Sequence, residues 1–132
     1  MNLKGIDHVG VVVDDLDEAD KTLAGLGLGV TEVVKLPHVE GRFYPAGDGS
    51  GASIELVEFV EGEERRQRLG AGAKARIDHI AFGVDDVESL LPALEALGME
   101  LTGPPLVTES STSVWTKPDS SGGVMFQFIQ RR

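Results

Sequence analysis

GIDHVGVVVDDLDEADKTLAGLGL, residues 5–28, is matched by RIDHIAFGVDDVESLLPALEALGM, residues 76–99. The Ile-Asp-His, Val-Asp-Asp and Leu-Gly motifs fall at the same places in both stretches, so His8 corresponds to His79. A repeat of this kind predicts two copies of one structural unit, because units that cannot bury an apolar face alone pack against each other. Equivalent side chains, above all the two histidines, are then expected to meet where the copies pack.

The repeated stretch reads as a strand followed by a helix. The valines at residues 9–13 alternate with His8 and its neighbours, which places them on one face of a strand and the histidine on the other. Apolar residues then recur at helical spacing after Asp15, which is the predicted N-cap. In the second copy Pro92 interrupts this pattern, so we expect a kink or a short helix near Ser89.

Three shorter strands follow each helix and complete a strand-helix-strand-strand-strand unit. We predict them at Thr31–Leu36, Val39–Tyr44 and Ala52–Val60, with a turn at Gly47–Gly51, and at Glu100–Leu101, Ser111–Thr116 and Val124–Ile129. The predicted organisation is a single domain of residues 1–132. It comprises module one at about residues 1–60, a linker with a short charged helix at about 61–75, and module two at about 76–132.

Composition excludes several classes of protein. The formal net charge of −10 opposes binding to a phosphate backbone, so we expect no nucleic-acid partner. The absence of cysteine excludes disulfides and thiolate metal sites. The stretch before the first motif has neither the pattern of a signal peptide nor that of a membrane span, so no membrane association and a cytoplasmic location are the expectations.

Strand periodicity places four polar side chains on the faces that point away from the helices. Glu55 opposes Ile54 and Leu56 in the last strand of module one, and Gln127 is in the same position among apolar neighbours in module two. If the two sheets curl together, these side chains converge with the histidines: His8, Glu55, His79 and Gln127. Such donors suit one divalent metal ion, with Co, Ni, Mn, Zn or Fe as candidates.

These motifs resemble a known family. The openings IDHVGVVVDD and IDHIAFGVDD, the segment SIELVEF and the ending KPDSSGGVMFQF resemble the vicinal oxygen chelate superfamily, which groups glyoxalases, bleomycin-resistance proteins and extradiol dioxygenases. Within it the likeness is greatest to methylmalonyl-CoA epimerases. The resemblance implies an α+β fold of two βαβββ modules in one domain, forming a curved, mostly antiparallel eight-stranded cup. It also implies metal ligands at His8, Glu55, His79 and Gln127, and a homodimer.

The resemblance implies further site residues. The epimerases use as base a glutamate on the third strand of module one, five residues before a proline, which corresponds to Glu40 before Pro45. If that strand is regular, Glu40 lies on the inner face, the one that carries His8 and Glu55. Arg42 and Tyr44 then share this face and are candidates for substrate binding, as is Trp115 on the corresponding strand of module two. The chain departs from the epimerases in having Glu in the first module and Gln in the last, the reverse of their order. An amide cannot accept a proton near neutral pH, so Gln127 cannot be a second base.

Two functions from different classes remain open. The first is a metal-dependent lyase or isomerase that removes a proton next to a carbonyl or thioester, similar to methylmalonyl-CoA epimerase. Its partner would be a small-molecule substrate, with acyl-CoA thioesters among the candidates. The alternative is a non-catalytic drug-binding resistance protein of the bleomycin-resistance type. The set of four candidate ligands favours the enzyme.

Overall fold

The computed structural model describes residues 1–48 and 51–132, so Gly49 and Ser50 of the predicted turn Gly47–Gly51 lie outside the described residues. The described residues form eight strands and three α-helices. In chain order these are β1 Gly5–Val13, α1 Leu16–Gly25, β2 Glu32–Leu36, β3 Val39–Pro45, β4 Ser53–Phe59, α2 Glu63–Leu69, β5 Ala75–Gly83, α3 Val87–Ala96, β6 Leu106–Val107, β7 Ser111–Trp115 and β8 Met125–Arg131. None of the helices in these residues has the length and apolar character that crossing a membrane requires.

The chain divides into two compact units. The first unit comprises residues 8–78, and the second comprises residues 1–7 together with 79–132. The first contains α1 with β2, β3, β4 and most of β1, and the second contains α3 with β6, β7, β8 and most of β5. The predicted α+β class and the two βαβββ modules are therefore confirmed. The prediction that they make a single domain stays a prediction.

The strands follow the same hydrogen-bonding order in both units. In the first unit β2 pairs with β3 and β3 with β4, both antiparallel, and β4 pairs in parallel with β1. In the second unit β6 pairs with β7 and β7 with β8, both antiparallel, and β8 pairs in parallel with β5. The last strand of each unit thus returns beside the first.

Equivalent side chains begin the two long helices. Asp15 and Asp86 have extended backbones and accept hydrogen bonds from N–H groups of the first turns of α1 and α3, as N-caps do. The first backbone N–H of α1 donates to Glu58 at 2.8 Å, and that of α3 donates to Gln130 at 3.0 Å. Each helix is therefore attached at its start to the last strand of its own unit.

Each sheet packs one face against its helix. In the first unit the helix-facing cluster is Val13, Leu16, Tyr44 and Leu56. In the second unit the corresponding cluster is Val84, Val87, Leu90, Leu94, Val114 and Phe128. A separate cluster of Val12, Val57, Phe59 and Leu69 places α2, the predicted linker helix, with the first unit. Val12 and Val57 have the strand parity of His8 and Glu55, so this cluster lies on the face away from α1.

Two local predictions are wrong. The first extended segment after α3 was predicted at Glu100–Leu101, but Leu101 forms only an isolated bridge with Thr116, and the paired strand is β6 further along. The kink predicted near Ser89 stays a prediction, but the predicted shortening of the helix with Pro92 is wrong, since α3 spans 10 residues, as α1 does. Its buried side chains Val87, Leu90 and Leu94 explain this, because tertiary packing offsets the hydrogen bond that proline cannot make.

Tyr44 links β3 to α1 in the first unit. Its hydroxyl donates a hydrogen bond of 2.7 Å to Asp20, and its side chain is fully buried. Burial, reinforced by this hydrogen bond and by the charge of Asp20, raises the pKa of Tyr44 to about 12. The protonated phenol is therefore the form that the folded protein stabilises.

We expect Tyr44→Phe to lower the free energy of unfolding by roughly 1–2 kcal/mol at neutral pH, because it leaves Asp20 without this donor. The extra free energy of unfolding of the wild-type protein over Tyr44→Phe should disappear as the pH rises from 10 through about 12. The reason is that the phenol of the unfolded chain loses its proton at a lower pH than the phenol of the folded protein. Urea unfolding followed by far-UV circular dichroism at pH 7 and pH 11 measures both effects. A stability difference that does not narrow at high pH would contradict this account.

Candidate functional site

The first unit brings His8 and Glu55 together through the parallel pairing of β1 and β4. His8 lies opposite Ser53 and Gly10 lies opposite Glu55, so the two polar side chains project from the same face two positions apart. His8 Nε2 and Glu55 Oε1 are 3.3 Å apart. His8 is 1% exposed and the Glu55 side chain is 14% exposed, so the pair is largely removed from water.

The second unit repeats this arrangement with His79 and Gln127. The parallel register of β5 and β8 sets Ala81 opposite Gln127, which places Gln127 on the same face as His79. Both side chains are buried. The amide Nε2 of Gln127 donates a hydrogen bond of 3.0 Å to Ser113 Oγ, and this orientation directs the amide oxygen away from Ser113. The oxygen is the atom of Gln127 that suits a cation.

A glycine in β3 makes room for the Glu55 carboxylate. A Cβ atom at Gly41 would lie 2.6 Å from Glu55 Oε2, a distance that ordinary contacts do not reach. Phe43, on the same face of β3, packs edge-on against the His8 ring with 5.0 Å between ring centroids. The ring of Phe43 thus supports His8, and the lack of a side chain at Gly41 gives Glu55 its space. Neither role was expected from the sequence.

The aspartates of both Ile-Asp-His motifs form two-point ion pairs with arginines. Arg68 on α2 holds Asp78, with Nε 2.7 Å from Oδ1, and Arg131 on β8 holds Asp7 through two contacts of 2.8 Å. Burial lowers the pKa of Arg68, but the hydrogen bond and charge of Asp78 outweigh it and raise that pKa overall. Each pair anchors the residue directly before a histidine. The repeated aspartate was a signal for these pairs, but the sequence does not show which arginine binds it.

The predicted placement of Glu40 on the His8 face is wrong. The β3–β4 register pairs Phe43 with Glu55 and Glu40 with Glu58, so Glu40 projects from the opposite face of the sheet, on the α1 side. There its carboxylate accepts a hydrogen bond of 3.0 Å from Arg42 Nε, and this bond holds the pKa of Glu40 below its usual range. A carboxylate of lowered pKa on the far face is not placed to act as the base.

Arg42 and Tyr44 do share the face of Glu40, as predicted, but that face is the one covered by α1. Arg42 is 3.2 Å from Asp17 of α1, and Tyr44 donates to Asp20 of the same helix. The pairing of Arg42 with Glu40 raises the pKa of Arg42 further. These side chains attach α1 to β3, so the structure does not support their predicted contact with substrate.

Trp115 is the candidate substrate-binding residue of the second unit. It is paired with Gln127 across the antiparallel β7–β8 ladder, so the two side chains project from the same face. Trp115 is partly exposed, whereas Gln127 is buried. Its role in substrate binding stays a prediction.

The donors of the first unit fit a divalent metal ion. Among the described residues, the candidate histidine and carboxylate ligands are His8 and Glu55 in the first unit and His79 in the second. Two donor atoms each about 2.1 Å from one ion are roughly 3.0–3.4 Å apart at octahedral and tetrahedral angles, and the 3.3 Å between His8 Nε2 and Glu55 Oε1 falls in this interval. Imidazole and carboxylate donors suit first-row transition ions.

The chain belongs to the glyoxalase superfamily. Residues 7–115 match the family described as the Glyoxalase/Bleomycin resistance protein/Dioxygenase superfamily. The resemblance to the vicinal oxygen chelate superfamily is thereby confirmed. Comparison with curated proteins gives no match.

Solved structures of several proteins share this fold. Methylmalonyl-CoA epimerase from Mycobacterium tuberculosis superposes with a TM-score of 0.84 at 22% identity, covering 98% of this chain and 89% of that one. A protein from Bacillus halodurans described as hypothetical has a TM-score of 0.84 at 23% identity, covering 100% and 96%. A Streptomyces coelicolor methylmalonyl-CoA epimerase variant in complex with 2-nitronate-propionyl-CoA has a TM-score of 0.83 at 22% identity, covering 98% of both. At such identities the likeness establishes the fold.

We expect Gly41→Ala to weaken divalent metal binding about 10–100-fold, because the new methyl group would displace the Glu55 carboxylate from its position beside His8. Calorimetric titration of metal-free protein with Co²⁺ measures the affinity. Gly29→Ala is the matched control in the same unit, since a Cβ there meets no atom within 4 Å. Equal affinities in the two variants would show that Gly41 has no part in placing Glu55.

Proposed function

We propose that this protein is a metal-dependent lyase or isomerase that removes a proton next to a carbonyl or thioester, similar to methylmalonyl-CoA epimerase. The observation that carries the proposal is the matched placement of His8 with Glu55 and of His79 with Gln127, one pair in each unit at the same strand positions. Membership of the glyoxalase superfamily supports it. A binding protein without chemistry has no evident need for four buried or largely buried donors.

The proposed cofactor is one divalent metal ion held by His8, Glu55, His79 and Gln127, with Co, Ni, Mn, Zn or Fe as candidates. When bound, such an ion supplies Lewis-acid polarisation of a carbonyl oxygen. The chain's own residues set the ligands in place. Phe43 orients the His8 ring, Gly41 makes room for Glu55, and Ser113 directs the amide oxygen of Gln127.

The proposed reaction uses one base instead of one on each side of the α-carbon. A symmetrical epimerisation needs proton acceptors on both sides of the α-carbon, and Gln127 is an amide that cannot accept a proton near neutral pH. Its hydrogen bond to Ser113 gives Gln127 a fixed orientation, as expected of a ligand. A reaction with one base is therefore the form of catalysis that this chain supports best.

An acyl-CoA thioester is the proposed substrate class. Its support is the similarity to methylmalonyl-CoA epimerases, including one in complex with methylmalonyl-CoA. The formal net charge of −10 repels the phosphate groups of CoA. Smaller acids and α-keto compounds should therefore be tested in the same assay. Homodimerisation and a cytoplasmic location stay predictions.

We predict one mole of divalent metal per chain, lost in His8→Ala and in His79→Ala because each removes an imidazole donor. Metal analysis of protein purified without chelator gives the occupancy. His38→Ala is the matched control, since the third histidine of the chain lies in the exposed turn between β2 and β3. Full occupancy in both the His8 and the His79 variants would refute the site.

We predict that the protein exchanges the α-proton of (2R)- or (2S)-methylmalonyl-CoA with deuterium in heavy water. Mass spectrometry measures the label, and chiral analysis shows whether the configuration inverts. Exchange of one epimer with slow inversion is expected from a single base. Absence of exchange with every acyl-CoA and α-keto compound, together with tight binding of a glycopeptide or aromatic drug, would instead identify the drug-binding alternative.

A further inference from the structure

The strand register of the first unit reveals a second carboxylate on the face of His8 and Glu55. Glu32 in β2 is paired with Phe43 in β3, and Phe43 is paired with Glu55 in β4. Paired residues project from the same face of a sheet, so Glu32, Phe43 and Glu55 form one row across three strands. Glu32 therefore has the placement that the sequence had suggested for Glu40.

The burial of β2 agrees with this placement. Glu32, Val34 and Leu36 are partly buried, whereas the alternating Val33 and Lys35 are exposed. The half-covered face of β2 is thus the one that continues the His8 face of the sheet. Neighbouring strands are about 4.8 Å apart, so the backbones at Glu32 and Glu55 are separated by roughly 10 Å.

Phe43 and Gly41 shape the surface between the two carboxylates. Phe43 is buried and lies in the row between Glu32 and Glu55, and Gly41 is one step along the same face of β3. Neither carries a proton acceptor, and Val39, the next residue of β3 on this face, is also apolar. Among the described residues of β1 to β4, the carboxylates on this face are therefore Glu32 and Glu55.

We propose that Glu32 is the general base of the reaction, an assignment that rests on the proposed function. Its carboxylate takes the proton from the α-carbon of the substrate, and the electrons of the broken C–H bond form the enolate, with the negative charge on the carbonyl oxygen. The Glu32 carboxyl then returns a proton, or a deuteron after exchange with solvent, to the same carbon. Glu55 is left to bind the metal, so the two carboxylates have separate roles.

The test compares α-proton exchange in heavy water for the wild-type protein, Glu32→Gln and Glu40→Gln, each loaded with Co²⁺. Removal of a general base is expected to lower the exchange rate about 100–10,000-fold in Glu32→Gln. Glu40→Gln is the matched control, because its side chain lies on the α1 face of the neighbouring strand, and its rate should stay within about threefold of the wild-type rate. Cobalt content should be equal in all three proteins.

A second variant separates a chemical role from a structural one. In Glu32→Ala, added formate should restore part of the exchange rate, since a small carboxylate can occupy the vacated space and accept the proton. Exchange at the wild-type rate in Glu32→Gln, loss of cobalt in that variant, or failure of formate rescue would each overturn the assignment while leaving the proposed function standing. Absence of exchange in the metal-loaded wild-type protein would instead refute the proposed function, and the role of Glu32 with it.

Discussion

The parallel pairing of the first and last strands in each unit is the constraint on which the site depends. In both units the chain leaves the first strand, forms a helix and an antiparallel set of strands, and returns beside its starting point. The return register sets Gly10 opposite Glu55 and Ala81 opposite Gln127. A slip of one residue would turn Glu55 or Gln127 toward the helix, because side chains alternate between faces. The placement of these candidate ligands therefore depends on a register set by residues far apart in the chain.

One face of the sheet in the first unit packs against α1, and the other carries the candidate ligands. The α1 face combines an apolar cluster with polar links from Arg42 to Asp17 and from Tyr44 to Asp20, and these hold the helix on the sheet. The opposite face carries the His8 and Glu55 donors among small or apolar neighbours. Glutamates on the two faces are close in sequence but have different surroundings: the partner of Glu40 is Arg42, whereas Glu32 lies in the row of Glu55.

The units are alike in backbone and different in charge. Where the first unit has Glu55, the second has Gln127, so the four candidate ligands carry one carboxylate. Glu55 needs the space above Gly41, and Gln127 needs the hydroxyl of Ser113 to set its amide. A largely buried carboxylate is costly in free energy unless hydrogen bonds or a cation compensate its charge. Gln127 at the position of Glu55 keeps a candidate oxygen ligand and removes a proton acceptor.

The sequence by itself determined the repeat, the order of the elements in each unit, the helix caps at Asp15 and Asp86, and the face of each candidate ligand within its own strand. All of these are local, because they follow from a period of two or 3.6 residues and from capping chemistry. Only the tertiary structure decided which strands pair and in what register. The register places Glu40 on the helix face and Glu32 in the row of Glu55. It also brings Gly41 beside the Glu55 carboxylate and Ser113 beside the Gln127 amide. Register is set by hydrogen bonds between distant strands and by the geometry of the connecting loops, neither of which leaves a periodic signal in the sequence.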